Sequence, residues 1–497
     1  MKVGSEVEAL RGLSVYPQSV VKVEGTTFSL ARSEDGESKV LLVEGDGRAF
    51  EGVRHDPSGV LVCSLSQATA AALRTRLSWL HPVPLGLKTS VGFGDRLGLA
   101  TPGHVRAIRQ SSGGRDGIAP VFAQQSVREN ARTGRTPQHV LDDATWGVFQ
   151  EGWREPWGAD ADHLKTPAQV NDFADAGYTF YTIDPGDHVD DQAEGASARA
   201  LEAKVRALPW DALEDTFGDL QRRYLAAPVE LEGLVLTIER GELWLAAVKY
   251  GRAIAHTVAM YRHIVSRIGE RAFELEVSVD ETASPTTVAE HVYVARELRR
   301  LGVRWVSLAP RFVGRFEKGV DYIGDLEVFA AEFARHAAVA RVFGPYKLSL
   351  HSGSDKFSIY PIAARLTDGS SVGLNGPLVH VKTAGTSYLE ALRATARVDP
   401  ELFGEIVTFA RKRYEKDRAT YHVSADLAKV PSPGSVGAGE LPLLLEAFDV
   451  RQVLHVTFGS VLDRFGERLR KTLKRNEEIY ATVLEAHFRR HLAPFVG

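Results

Sequence analysis

At 497 residues, with 44% hydrophobic and 25% charged content, the chain can bury a large core, as one large domain with an accessory piece or as two ordinary domains. Sixty Lys and Arg against 64 Asp and Glu leave a net charge of −4, which supplies no basic field for nucleic acid. The longest apolar runs, such as residues 441–445, fall far short of the roughly 20 residues a membrane span requires, and the N-terminus has no signal-like apolar region. A soluble cytoplasmic protein without a membrane partner is expected.

Residues 1–80 read as a small β-rich unit, with short apolar runs, turn signals (SEDGES, EGDGR, HDPSG) and a closing helical stretch, SQATAAALRTRLSWL. The only cysteine, Cys63, lies in the alternating run GVLVCSLS and is expected in a buried strand. No intrachain disulfide is available, and any metal must be held by His, Asp or Glu.

From residue 81 to 497 short apolar strands alternate with amphipathic helical stretches, the pattern of βα units around a parallel sheet. Eight strands are predicted, at 85–90, 118–122, 178–183, 273–279, 303–308, 347–350, 378–382 and 453–458. Eight is the number that closes a (β/α)8 TIM-type barrel. Thr166 with Pro167, and Ser284 with Pro285, each offer an N-cap followed by proline at the first helical position. Helical insertions near 192–268 and 386–450 follow strands that carry candidate ligands, so parts of them are expected to roof a pocket.

The strand ends concentrate the chemistry. Strand one runs into TSVGFGDRLGLATPGHV, which places Asp95 and Arg96 in a glycine-rich loop suited to a polar substrate, with Arg96 able to fork onto a carboxylate. Strand two ends with Gln124, Gln125, Ser126 and Arg128. Strand three ends as YTFYTIDPGDHVDD, crowding Asp184, Asp187, His188, Asp190 and Asp191; such carboxylates tolerate one another best around a cation or a shared proton. Strand four, FELEVSVDETASPTT, sends Glu274, Glu276, Ser278 and Asp280 to one face. A carboxylate inside a barrel is expensive, which marks Glu276 as a proton-transfer group or metal partner. Asp280 and Glu281 read as residues preceding a helix cap. Strand six, KLSLHSGSDKFSIYP, supplies His351, Asp355 and Lys356, and strand seven supplies His380 and Lys382. Together with His188, His351 and His380 offer imidazoles to a divalent ion such as Zn, Mn, Co, Ni or Fe. His422 and His455 are rival ligands, and Gly459 with Ser460 suggests a late-strand anion-binding turn.

The segments GFGDRLGLATPGH, IDPGDHVDD, EVSVDET, LHSGSDKFSIYP and HVKTAGTSYLEALR, in that order between Gly92 and Arg393, resemble the tagaturonate/fructuronate epimerase family of hexuronate catabolism, some members of which are also studied as tagatose 4-epimerases. The resemblance implies a divalent-metal-dependent barrel enzyme interconverting D-tagaturonate and D-fructuronate, with ketohexose 4-epimerisation as a side activity. It would have His188, His351 and His380 at the metal, Asp187 and Glu276 as the proton-transfer pair, and Asp95, Arg96, Gln125, Asp355, Lys356 and Lys382 around the substrate. The epimerised carbon, C4 in ketose numbering, is β to the C2 ketone and is not acidified by direct enolisation. Retro-aldol cleavage of C3–C4 with re-addition is one route, and deprotonation with another activating device is the second. A metal-dependent aldolase uses nearly the same parts. A Schiff-base aldolase would use Lys382 or Lys356, and a sugar-binding protein would keep the pocket without turnover.

Overall fold

In the computed structural model, residues 12–55, 59–112 and 117–496 are described; the middle of the HDPSG turn, residues 56–58, lies outside them. Six short strands, β1 (Leu13–Val15), β2 (Val21–Val23), β3 (Thr26–Ser33), β4 (Lys39–Glu44), β5 (Val53–His55) and β6 (Val60–Ser64), form an antiparallel sheet in the order β1-β3-β4-β6-β5, with β2 on β3. Cys63 is buried on β6, as its alternating run predicts. The sheet is tied to the C-terminal helix, Glu477–Leu492, because Tyr16 Oη and Lys39 Nζ reach Glu477 at 2.7 and 2.8 Å.

A closed parallel barrel follows. Its strands are β7 (Ser90–Phe93), β8 (Ala119–Ser126), β9 (Gly158–Leu164), β10 (Phe180–Ile183), β13 (Glu274–Val279), β14 (Ser307–Pro310), β15 (Lys347–Leu350) and β16 (Val379–Thr383), with β16 returning to β7. A separate hairpin, β11 (Val229–Leu231) and β12 (Leu234–Leu236), lies between β10 and β13. The barrel architecture matches the expectation, but the first predicted strand, 85–90, lies at Ser90–Phe93 because residues 85–89 pass through a turn, and one strand of the predicted eight is replaced. Residues 453–458 end a helix, Phe448–Val456, and the place in the barrel belongs to β9. Gly459 and Ser460 accordingly sit in the helix Phe458–Arg475, not in an anion-binding turn after a strand.

Several helix starts are written in the sequence. Thr166 accepts from the Gln169 amide with Pro167 at the first helical position, and Ser126 closes β8 in a reciprocal cap with Glu129. The Ser284-Pro285 cap does not form. Thr287 caps that helix (Val288–Arg300), while Ser284 Oγ takes a hydrogen bond from Lys249. The first insertion is helical apart from the hairpin, and its long helix, Arg240–Ile268, reaches the barrel rim through His256, stacked on His188 at 4.1 Å. The helix Phe448–Val456, at the end of the second insertion, brings Arg451 and His455 over the face where the strands end.

Candidate active site

Period-2 alternation on β13 puts Glu274, Glu276 and Ser278 on the barrel's inner face, where they form successive layers. Lowest, Glu274 accepts from the Gly86 amide, Lys347 Nζ donates to Ser90 Oγ (3.0 Å), and His380 Nδ1 pairs with Ser90 Oγ (2.8 Å). Burial pushes the His380 imidazole down to about 3. It serves as a neutral core group beneath the charged residues, its Nε2 without a partner.

Above that layer Lys382 is surrounded by carboxylates. Its ammonium lies 2.9 Å from Asp160, 2.7 Å from Asp162 and 2.8 Å from Glu276, and donates to Thr182 Oγ1 at 2.7 Å. Burial opposes ionisation of Glu276, but Lys382 and His351 outweigh it and hold the carboxyl well below its usual range. Burial pushes Asp160 up to about 7 against the pull of Lys382. Two buried carboxyls are thus driven in opposite directions, the arrangement that separates a base from an acid. Glu276 Oε2 is buried without a hydrogen-bond partner.

The top layer contains the imidazoles. Single ligand atoms of His163, Asp280 and His351 lie within 4.8 Å of one another, and His163, Asp184 and Glu281 form a second set sharing His163. His351 Nε2 meets Glu276 Oε1 at 2.6 Å while Nδ1 faces Asp280 at 3.3 Å. This is the pattern of a metal-binding imidazole whose far N–H is fixed by a carboxylate. Burial disfavours the charged His351, yet Asp280 and Glu276 raise it to about 10, so the carboxylates call for positive charge between them. Two imidazoles, a carboxylate and an orienting second shell fit a divalent cation of the borderline class.

Local backbone geometry explains how His163 gets there. On β9 the pairing with β10 slips between Tyr181 and Ile183, so Asp162 and His163 together oppose Thr182. His163 also takes a positive φ of 56°, a conformation that persists only where surroundings enforce it. Asp162 reaches Lys382, and the His163 ring meets the edge of His351 at 4.9 Å.

The remaining expected site residues are dispersed. His188 stacks on His256 at the rim and is in neither ligand set, and Asp187 is 70% exposed and paired with Lys165 at 2.8 Å. Asp184 joins the second set, hydrogen bonding His163 Nδ1 at 3.2 Å. Asp190 caps a turn and pairs with Lys204, and Asp191 accepts from the Ala283 amide. Asp95 receives the amides of Leu97, Gly98 and Ala100, fixing its own loop. Arg96 pairs with Glu129 at 2.7 Å, and Gln125 lies against Thr133 and Arg135. Gln124 donates to Asp162 at 3.2 Å, and His422 is exposed.

Asp355 and Lys356 turn inward to hold their own loop. Lys356 Nζ donates to the carbonyls of Glu317, Val320 and Ser354, and Asp355 takes Arg451 at 2.8 Å and His487 at 2.6 Å. Although Asp355, His487 and His491 lie close enough to share an ion, His491 Nε2 already accepts from the Asp355 amide (3.0 Å) and Nδ1 faces the His487 carbonyl. The cluster is a satisfied structural network.

A parallel barrel whose strand ends converge buried carboxylates, imidazoles and a lysine on one point is an enzyme's active-site face. A family model described as tagaturonate epimerase matches residues 16–495. The tagaturonate/fructuronate epimerase of Thermotoga maritima is 44% identical over 490 residues, covering 97% of each chain. The native crystal structure of fructuronate-tagaturonate epimerase UxaE from Cohnella laeviribosi superposes with a TM-score of 0.90 at 36% identity, covering 99% of both chains. A one-glycerol complex of that enzyme gives 0.89 at 36% identity, covering 97% of this chain and 96% of that one. The chain belongs to the tagaturonate epimerase family and is a carbohydrate epimerase, an isomerase.

Proposed function

We propose that the protein interconverts D-tagaturonate and D-fructuronate with a divalent metal ion held by His163, His351 and Asp280. The observation that carries this reading is the buried layer in which Glu276 joins that ligand set to Lys382: one Glu276 oxygen meets both His351 and Lys382, and the other is free. When bound, a divalent ion supplies Lewis-acid polarisation of substrate oxygens.

The chain's own residues account for the proton traffic. Glu276, ionised and with Oε2 free, accepts a proton from the reacting carbon's hydroxyl in the retro-aldol route, or from its C–H in the direct route. Lys382 holds Glu276 in place and fixes its charge, while Asp160, whose carboxyl is pushed up to about 7, keeps a proton available on the same lysine and threonine. The direct route ends by delivering a proton to the opposite face of the carbon, which needs a donor beside the acceptor, whereas in the retro-aldol route Glu276 can return to the alkoxide the proton it took. Asp160 and Glu276 are both 0% exposed.

The test is carbon NMR of tagaturonate incubated with chelator-stripped protein, with and without Mn or Zn. Metal-restored appearance of fructuronate supports the reading. Two three-carbon fragments in place of an epimer would instead support a metal-dependent aldolase, and no conversion under any metal would sink both.

A further inference from the structure

Two cations of this face, Lys318 and Arg128, have no ion pair among the described residues. Lys318, in the loop after β14, donates to Ser352 Oγ at 2.6 Å in the turn that follows His351, and no carboxylate pairs with it within ion-pair distance. Burial lowers the Lys318 ammonium, and the next largest cause is repulsion from Arg128; attraction to Asp280, Glu129 and Glu281 works the other way. Arg128, at the start of the helix Val127–Thr133 after β8, is exposed and lies over the Tyr421 ring at 5.8 Å, again with no ion pair.

The wall behind them is also short of acceptors. Arg96 spends Nε and one terminal nitrogen on a single oxygen of Glu129 and stacks on Phe458 at 3.7 Å, leaving its other terminal nitrogen buried and unpartnered. His455 Nδ1 is likewise buried without a partner. His455 is held between two glycines of this face. A Cβ on Gly385, just beyond β16, would collide with its Nε2, and one on Gly319 would lie 3.3 Å from its Cδ2. Arg96 and Lys318 both act on the His455 imidazole, so the three side chains share one neighbourhood, reached from the loops after β7 and β14 and from the helix Phe448–Val456.

We propose that Lys318 and Arg128, backed by Arg96 and His455, form the subsite that takes the carboxylate of the sugar-acid substrate. This rests on the reading under Proposed function and deepens it. The reacting end of the chain would lie against His163, His351 and Asp280, and the carboxylate would pair with Lys318 and Arg128, which have no ion pair among the described residues. There a planar guanidinium and an ammonium can both donate to it. Lys382, Lys356 and Lys165, further lysines of this face, are held by carboxylates or by carbonyls and are not available for this role.

The experiment is calorimetric titration of metal-loaded wild type, Lys318→Met, Arg128→Met and Lys318→Arg with D-tagaturonate and with D-tagatose, the uncharged ketohexose, alongside the NMR turnover assay. Wild type should bind tagaturonate more tightly than tagatose. Each methionine variant should weaken tagaturonate by about 10- to 100-fold, the scale of one charge-assisted hydrogen bond, and leave tagatose unchanged, with Lys318→Arg restoring most of the loss. Arg128 is exposed, so its variant tests the subsite even if Lys318→Met folds poorly. Equal weakening of both sugars, no weakening of either, or equal binding of both by wild type overturns the subsite. Charge-selective binding without interconversion would overturn only the reaction under Proposed function.

Discussion

His163 holds the position on which the site turns, since it belongs to both sets of convergent ligand atoms and contacts the edge of His351. His163→Ala should therefore lower metal affinity by more than about 100-fold, beyond the 10- to 100-fold expected for losing a second-shell partner. His188→Ala, which removes a ring stacked on His256 at the rim, should leave the metal content intact. Metal per chain after dialysis, measured by inductively coupled plasma mass spectrometry, decides between them, and equal losses would return His188 to the ligand set. Glu276→Gln keeps the shape but removes the charge facing Lys382 and His351. Turnover should fall about 10²- to 10⁴-fold, the range for losing a general base, with folding intact by circular dichroism; an unimpaired variant would remove Glu276 from the proton path. Glu276 and His351 were legible because one stands on the inward face of a strand and the other just past a strand's end, each a group a barrel interior does not otherwise tolerate. His163 was not, because its inward aim depends on a bulge and a left-handed residue that no periodicity announces.

Among elements, the same contrast separates β15 from β9. The segment KLSLHSGSDKFSIYP reads as a strand ending in chemistry, and β15 ends where that reading places it. The strand β9, GADADHL, alternates alanine with aspartate and lacks β-branched and aromatic residues, so β-propensity passes over it. The run VLHVTF satisfies β-propensity and yet spans the buried end of the helix Phe448–Val456 and the start of the next, where a short apolar run reads the same as a buried strand. The turn after β15 shows why Asp355 and Lys356 look catalytic in sequence without facing the site. Ser352 and Asp355 both adopt positive φ, 51° and 60°, and that backbone is held by Lys356 Nζ on three carbonyls and by Arg451 and His487 on Asp355. Lys356→Met would leave those buried carbonyls unsatisfied at about 1–3 kcal/mol each. The midpoint of urea unfolding should drop by an amount equivalent to about 3 kcal/mol or more with an unchanged slope. A variant as stable as wild type would return Lys356 to the list of substrate contacts.

Across the whole molecule, buried neutral histidines set the response to acid. His104 shares a hydrogen bond with Ser387 at 2.8 Å, His291 sits between His336 (2.9 Å) and the Tyr346 hydroxyl (2.8 Å), and His455 and His491 are buried on the helices Phe448–Val456 and Glu477–Leu492. Burial pushes His104 and His491 down to about 3, His336 to about 4, and His291 and His455 well below the ordinary 6.5. In the unfolded chain all five take up a proton as pH falls through 6.5, whereas in the fold they do not. Stability is therefore lost on acidification from about pH 6.5 downward, each group contributing about 1.4 kcal/mol per pH unit until its folded value is reached. His163 and His351 are raised in the fold and run the other way, losing stability as pH rises through their folded values, as do Asp143 and Asp160, pushed up by burial to about 6 and about 7, but the lowered imidazoles, His380 among them, outnumber them. Below the ordinary carboxylate range, Asp355, held low against burial by Arg451 and His487, adds to the acid loss. Urea midpoints measured from pH 7.5 to 5 should fall steeply with decreasing pH, and His336→Phe, which removes one buried titrating ring, should flatten that slope by about one proton's worth. A midpoint independent of pH over that window would mean that these imidazoles are protonated in the fold or titrate alike in both states.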